Sequence, residues 1–539
     1  HSGICRPGQV TDYPARQFVM VYSVCRRNDI LMSGNNHIFR YLALSLSAFL
    51  LLLAHNSLAQ DKKYVRLIHA DVQEFDKSVG DMQRLIGNVQ FEYQGTLLYC
   101  DSAWLYNDTR DFDAYGRVRM IKGSDYVLTG DFLHLDQKSK VAIMQRNVVL
   151  RDREMTLNTQ FLSYNMDSGI AAYSGGGNIE SAKNRNRLSS TKGYYHSATH
   201  DFYFRNKVVL KNPDYTVVCD TLRYNNLSEI SWFLGPTTIT GEDTEIYCEN
   251  GTYDSKKDLS RFGRNARVRS GTTILRGDSI VYDGNKNQGD AFRNVSIRDT
   301  TENLEVTGER GSYHGKSGRS WVTGMALLAQ YLDTDTLYLG ADTLVSVSDS
   351  LEQKTFYAYR RVALFKSDMQ GLCDSLVYSS ADSTMRLFRN PVLWSDQNQI
   401  TGDSITIYSS EGVLQRMIVR QNALVLSEAA VGKYNRISGR ELTGYFSDNK
   451  LFRVWIEGNG ELSYYPTGAE DEKAKLMGRN DGECSNIEIF LNDNRIRRIK
   501  LHQSPSTDFL PMSQLPADLP ETPEWRIEGR PSSVKDVVH

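Results

Sequence analysis

The sequence runs to 539 residues, 40% of them hydrophobic and 24% charged, with a formal net charge of −2. That is enough apolar material for a large core, and too polar a balance for a many-spanning membrane protein. A general nucleic-acid binder is excluded too, because it would need a strong positive excess to neutralise phosphates.

The chain opens on His rather than Met, and Met32 begins a segment of signal-peptide proportions, so residues 1–31 read as a mis-called start. A signal peptide is expected over 32–59. Arg40 leads into the apolar run from Tyr41 to Ala54, and the small residues Ser57 and Ala59 stand at the −3 and −1 positions of a cleavage site. The alternative is an uncleaved anchor, for which the run is short. Cleavage after Ala59 leaves Cys100, Cys219, Cys248, Cys373 and Cys484. An odd number in an oxidising compartment excludes a dense disulfide framework.

Residues 60–468 are built on a repeat. One motif recurs as CDSAWLY from Cys100, GDFLHL from Gly130, CDTLRY from Cys219, GDSIVY from Gly277, CDSLVY from Cys373 and GDSITIY from Gly402. Degenerate copies (NTQFLSY from Asn158, CENGTY from Cys248, GERGSY from Gly308) fill the gaps, giving a period of about 30 residues. A second motif follows at a nearly fixed distance: RNVVL from Arg146, FRNKVVL from Phe204, FGRNARV from Phe262, FRNVSI from Phe292 and FRNPVLW from Phe388. Each repeat therefore reads as strand, turn, strand, with turns at clusters such as Asn107-Asp108 and Asp283-Gly284-Asn285. No convincing amphipathic helix appears, so the expected class is all-β, with about a dozen two-strand repeats stacked into one core.

The apolar alternation changes phase at the first motif. Before it the apolar residue lies two positions ahead of the Gly/Cys (Leu98, Leu128, Val217, Ile246, Leu275, Ile400); after it, the apolar pairs are Leu133/Leu135, Leu222/Tyr224, Ile280/Tyr282 and Ile405/Ile407. A regular strand would put these two sets on opposite faces. A bulge or corner at the Gly/Cys-Asp pair would bring them to one inner face, and small residues suit such a corner.

From 469 to 504 a final degenerate repeat is expected, ending in CSNIEIFLNDNRIRRIKL from Cys484. Residues 505–539 carry Pro505, Pro511, Pro516, Pro520, Pro523 and Pro531, and read as a C-terminal cap or arm because proline cannot donate to a ladder.

The Asp column (Asp101, Asp131, Asp220, Asp278, Asp374, Asp403) admits two readings, calcium ligation or a corner carboxylate accepting backbone N–H bonds. Calcium β-rolls carry several Asp per short repeat, so the structural role is favoured. Cys219 and Cys248 occupy equivalent places in neighbouring repeats; they are either buried small residues or, at a strand spacing of about 4.8 Å, a disulfide. His196 and His200 have the i, i+4 spacing of a metal pair but lie in a strand-turn-strand context without HExxH. No CxxC, GxSxG or P-loop is present, so no catalytic residue, metal or cofactor is assigned. Arg146, Arg205, Arg264, Arg293 and Arg389 form a column beside strand starts, either a rim for phosphates of an amphipathic ligand or solvated turn residues pairing with acids.

Taken together, the repeated GD/CD-[ST]-x-x-x-Tyr and Arg-Asn-Val motifs, with Trp525-Arg526 and Arg530-Pro531 in the tail, resemble the OstA/LptA family of periplasmic lipopolysaccharide-transport proteins, in its long OstA-like form. The resemblance implies an elongated antiparallel β-jellyroll, V-shaped in section and open-edged, with two or three modules in this chain. It implies a non-enzymatic periplasmic bridge, possible association with the outer membrane included, that carries lipopolysaccharide in an apolar groove toward that membrane. Its implied partners are other jellyroll proteins, joined by end-to-end strand pairing, and an outer-membrane barrel, with no nucleic acid. The apolar residues named above would then line the groove. The rival expectations are a carbohydrate-binding or carbohydrate-active β-helix, and a structural scaffold partnering a barrel.

Overall fold

In a computed structural model, the alternating β-branched and aromatic residues form one antiparallel hairpin after another. The structure describes residues 66–538 except 77–80, 94, 124–125, 153–154, 182–184, 226, 302, 333–334, 350–352, 396, 411–412, 448–449, 468–475, 493–494, 516–524 and 527–528. The expected mis-called start and signal peptide lie outside the described residues. Among those residues 33 strands run from β1 (Arg66–His69) to β33 (Ser506–Pro511), with short 3-10 turns and no α-helix. None of the described residues belongs to a helix long and apolar enough to cross a membrane. Antiparallel pairing between sequence neighbours is not the parallel coil of a β-helix.

The chain divides at Ala291/Phe292 into two compact units. In the unit up to residue 291 most strands are 11 or 12 residues long, as in β3 (Met82–Tyr93), β4 (Thr96–Tyr106) and β5 (Phe112–Lys122). Each is bent near its middle. Phe91, in the second half of β3, meets Phe112, in the first half of β5, edge to face at 5.1 Å between ring centroids. Straight strands would hold these two positions far apart along β4, where their partners are Leu98 and Leu105. The bend folds each strand's two halves over a shared core.

The bend is made by a two-on-one bulge. Between β16 (Leu259–Ser270) and β17 (Thr273–Asp283) the register passes from Gly263↔Ser279 to Ala266↔Gly277, so Arg264 and Asn265 oppose Asp278 alone. Both are left-handed, at φ 53° and 56°, and the same holds for Arg146/Asn147, Asn206/Lys207, Arg293/Asn294 and Arg389/Asn390. The corner expected at Gly/Cys-Asp is therefore made by a left-handed pair of the neighbouring strand, Arg-Asn in four of these copies and Asn206-Lys207 in the fifth. The Gly or Cys opposite stays extended and is small for another reason, close approach. A Cβ on Gly130 would lie 2.7 Å from the Met144 sulfur, and one on Gly402 would lie 2.4 Å from Val419 Cγ1.

The 292–539 unit repeats this plan with longer strands, including β28 (Val413–Ala430) and β29 (Lys433–Ser447). Its strands break where the motif holds proline or Gly-Asp. Pro391 separates β24 (Thr384–Phe388) from β25 (Val392–Ser395), and Gly402-Asp403 separates β26 (Asn398–Thr401) from β27 (Ser404–Ser410). The segment expected to be all arm begins with a strand: β33 pairs with β31 (Gly478–Asn492), with Pro511 at its very end, where a missing donor costs little.

Beyond it, residues 525–526 and 529–538 lie on the outer face of this unit. Trp525 packs on Tyr434, the Arg526 backbone N–H donates to Gln399 Oε1 at 2.8 Å, Arg530 Nε donates to Gln370 Oε1 at 2.6 Å, and Val537 is fully buried over Gly340. Beneath this arm lie outward positions that are nonetheless buried, Ala363, Val392, Trp394 and Leu426.

Candidate functional site: the apolar interior

The first motif's pattern assigns each residue a place in the bend. The Gly or Cys faces inward at the corner, in a cross-strand row of small residues, as in Val208↔Cys219, Cys219↔Thr237 and Thr237↔Cys248. The acidic residue faces outward and is held by the neighbouring bulge. Arg117 bonds Asp101 at 2.7 Å, Asn147 bonds Asp131 at 2.8 Å, Arg389 bonds Asp374 at 3.2 Å and Asn422 bonds Asp403 at 3.1 Å. At these four the donors are side chains at the bulge of the neighbouring strand, where backbone N–H groups were expected, and at Asp220 the donor is the adjacent Thr221 hydroxyl at 3.0 Å. Among the described residues no group of three or more His, Cys, Asp or Glu is placed to hold a metal ion, His196 and His200 included.

The arginine column sits at the bends, in the middle of the strands for Arg146, Arg205, Arg264 and Arg293 and in the gap between β24 and β25 for Arg389, and not beside strand starts. Arg146, Arg205, Arg264, Arg293 and Arg389 are all exposed there, away from the buried row. Arg389 is paired with an acid, and Arg205 lies over the Tyr194 and Tyr203 rings at 5.8 and 5.7 Å. A column of this kind borders solvent and not the interior.

The residues expected to line a groove are on the inner side from both halves of the strands. Leu128, Leu133, Val217, Leu222, Tyr224, Ile246, Ile280, Ile400 and Ile405 are buried, while Leu98, Leu135, Leu275, Tyr282 and Ile407 are half-buried. Large and small residues alternate across the strands, as in Phe204↔Leu222, Leu222↔Phe233 and Phe233↔Gly251, so that facing layers interdigitate. In the 292–539 unit an interior cavity of about 30 Å³ remains between the halves, with Val306, Leu328 and Leu339 on one side of the bend and Val322, Ala358 and Leu376 on the other.

The interior is graded. Toward the corner it is Leu, Val, Phe and Cys, and toward the strand ends the signature Tyr of the first motif faces small hydroxyl residues: Tyr224↔Ser231, Ser231↔Tyr253 and Tyr253↔Ser260. Burial pushes the Tyr195 hydroxyl up to about 12 and the Tyr173 hydroxyl up to about 12, the latter opposed by its 2.6 Å bond with Ser190. These phenols stay protonated. The inward serines escaped the apolar-phase argument, because Ser counted as polar, although the repeated Tyr/Ser alternation would have pointed to them.

Cys219 and Cys248 are free, as are Cys100, Cys373 and Cys484. Equivalent residues of successive hairpins are two strands apart, with Thr237 between them, so the spacing is about 9.6 Å and beyond disulfide reach. Burial pushes the Cys248 thiol up to about 11, and burial with Asp220 alongside pushes Cys219 up to about 12. Neither is a nucleophile at neutral pH.

Residues 62–220 match the family model described as OstA-like protein. No curated protein matches the chain. Among solved structures it is similar to LptH of Pseudomonas aeruginosa, described as the LptA homologous periplasmic component of the conserved lipopolysaccharide transport device. That likeness has 14% identity and a TM-score of 0.18, and covers 20% of this chain and 79% of that one.

Proposed function

The OstA-like signature over residues 62–220 is the premise from which we propose that this chain is a non-enzymatic, periplasmic lipid-binding bridge that carries lipopolysaccharide in its apolar interior toward the outer membrane. The observation that carries the reading is the phase-shifted apolar lining. Two sets of residues that a straight strand would separate lie on one buried side, roofed over a corner of small residues. An apolar trough of this kind shields an acyl chain from water at about 0.8 kcal/mol per methylene.

Stacking with other jellyroll proteins fits the N-terminal edge. β1 and β2 (Val72–Asp76) both pair with β3, and among the described residues no strand pairs with their outer side. Leu67, Ile68, Val72 and Phe75 are exposed there. An open edge with apolar side chains invites strand addition.

Photo-crosslinking from Leu222, Ile280 and Ile405 in living cells tests the transport reading. Lipopolysaccharide adducts at these positions are expected, and Ile280→Asp is expected to abolish them. Adducts with sugar polymers, or none, would overturn it.

A further inference from the structure

The cavity of the 292–539 unit is walled mainly by apolar side chains, with four hydroxyl-bearing residues among them, Ser320, Ser346, Tyr357 and Tyr378. Ser320 on β20 (Arg319–Tyr331) and Ser346 on β21 (Thr336–Ser348) are direct register partners, 2% and 3% exposed, and both border the cavity. Neither Oγ has a hydrogen-bond partner. The same place in the repeat of the other unit holds Ser231, which is 0% exposed, lies between two signature tyrosines, and likewise has an unpartnered Oγ.

A buried hydroxyl without a partner is costly, and removing the group restores the loss. That this arrangement occurs at a cavity, as a facing pair, and again at the equivalent position of a second unit points to a partner supplied by whatever enters. We propose that the Ser320/Ser346 pair makes this interior selective for acyl chains bearing a hydrogen-bonding oxygen, a hydroxyl or an ester carbonyl, over plain hydrocarbon chains. The proposal rests on the lipid-binding reading and deepens it.

The physical basis is asymmetric desolvation. A plain chain that fills the cavity leaves both hydroxyls without a partner, and it also expels any water bridging them with nothing in exchange. An oxygen on the chain replaces that water and satisfies at least one hydroxyl. A site built to bond an oxygen therefore discriminates against the chain that lacks it more strongly than an apolar wall discriminates one methylene. The flanking apolar residues hold the remainder of either chain equally.

The full chain would be titrated with hexadecanoic acid and with its 2-, 3- and 16-hydroxy derivatives, each displacing a fluorescent fatty-acid probe. At least one hydroxy derivative is expected to bind about five- to tenfold more tightly than hexadecanoic acid. In Ser320→Ala/Ser346→Ala that ratio falls to about one, in part because hexadecanoic acid no longer leaves two hydroxyls unpartnered and binds more tightly than before, and the Tm does not fall. The single variants Ser320→Ala and Ser346→Ala give intermediate ratios. A ratio near one in the unmodified chain, or a ratio that survives in the double variant, overturns the selectivity and leaves lipid binding intact. A lowered Tm with an unchanged ratio shows a structural role and overturns it as well. Failure of every acid to displace the probe overturns the lipid-binding reading and the selectivity with it.

Discussion

Gly340→Ala should release the C-terminal arm while leaving the core of its unit in place. A Cβ at Gly340 would stand 1.9 Å from the Val537 carbonyl oxygen and 2.8 Å from its Cγ1, and backbone cannot give way as the tip of a long side chain can. The neighbours of Gly340 along the strand, Leu339 and Ala341, face the interior and are untouched. Val537 is fully buried, and returning a valine side chain to water costs about 1.5–3 kcal/mol. At 1.4 kcal/mol per factor of ten, the fraction of molecules with the arm detached rises roughly tenfold to a hundredfold.

Limited trypsinolysis reads this directly. Arg526 and Lys535 are exposed, but their backbone is held in the arm: Arg526 donates to Gln399, and Lys535 lies in a 3-10 turn whose Asp536 accepts from Ser532 and Ser533. When opening and closing are fast relative to cleavage, the rate follows the open population, so cleavage at these two sites should accelerate by the same factor. The Tm should shift little. An unchanged cleavage rate, or a Tm collapse that accompanies cleavage throughout the chain, would refute the strap geometry.

Three further outcomes follow from the repeat. Gly402→Ala, which drives a Cβ against the β-branched Val419, should destabilise by about 1–3 kcal/mol, whereas Gly130→Ala meets the flexible Met144 and should cost less; chemical denaturation of each variant measures the difference. Cys219 and Cys248 should resist alkylation in the native protein at pH 7.5 and label only on unfolding, and rapid native labelling would contradict their burial. Asp201 is pushed up by burial, but hydrogen bonds from Arg223, Asn225 and Thr199 and the Arg223 charge outweigh this and hold its carboxyl below the usual range. A depressed folded value means that the pair's stabilisation is complete above the ordinary Asp range near pH 3.9 and is lost as pH falls through the lowered value. Tm measured from pH 6 to pH 2 should therefore lose part of its acid dependence in Asp201→Asn.

The interior was legible in the sequence because period-two alternation leaves a trace wherever one side of a strand is buried. Leu128 and Leu133 cannot share a face without a bulge between them, and the structure supplies one. The identity of the bending residues was less legible. Gly is the obvious residue for a left-handed turn, yet at Gly130 the glycine is extended and Arg146-Asn147 opposite takes φ of 61° and 52°. Asn tolerates that region; for Arg the local chemistry compensates, since its neighbour's bond to the motif carboxylate fixes the corner from outside. The arm's seat was missed altogether. Val392-Leu393-Trp394 and Leu424-Val425-Leu426 break the alternation by being apolar on both faces, and that pattern in an otherwise one-sided sheet marks a stretch covered from both sides.

The two motifs are thus halves of one device, which explains why they recur together at fixed distance. A corner of two left-handed residues leaves one residue of the opposing strand without a ladder partner, and that residue is the outward acid, which the corner's Arg or Asn then satisfies. The residue just before it is carried inward at the point where the two halves approach most closely, so it must be small. The requirement reaches no further along the strand. Two residues past the corner the halves have diverged enough for Leu222 or Ile280, and four past it for a tyrosine. The width of the interior, and with it the thickness of any chain it can hold, is accordingly set by distance from the corner: narrow and apolar at the Gly/Cys row, wider and hydroxyl-bearing at the Tyr/Ser row.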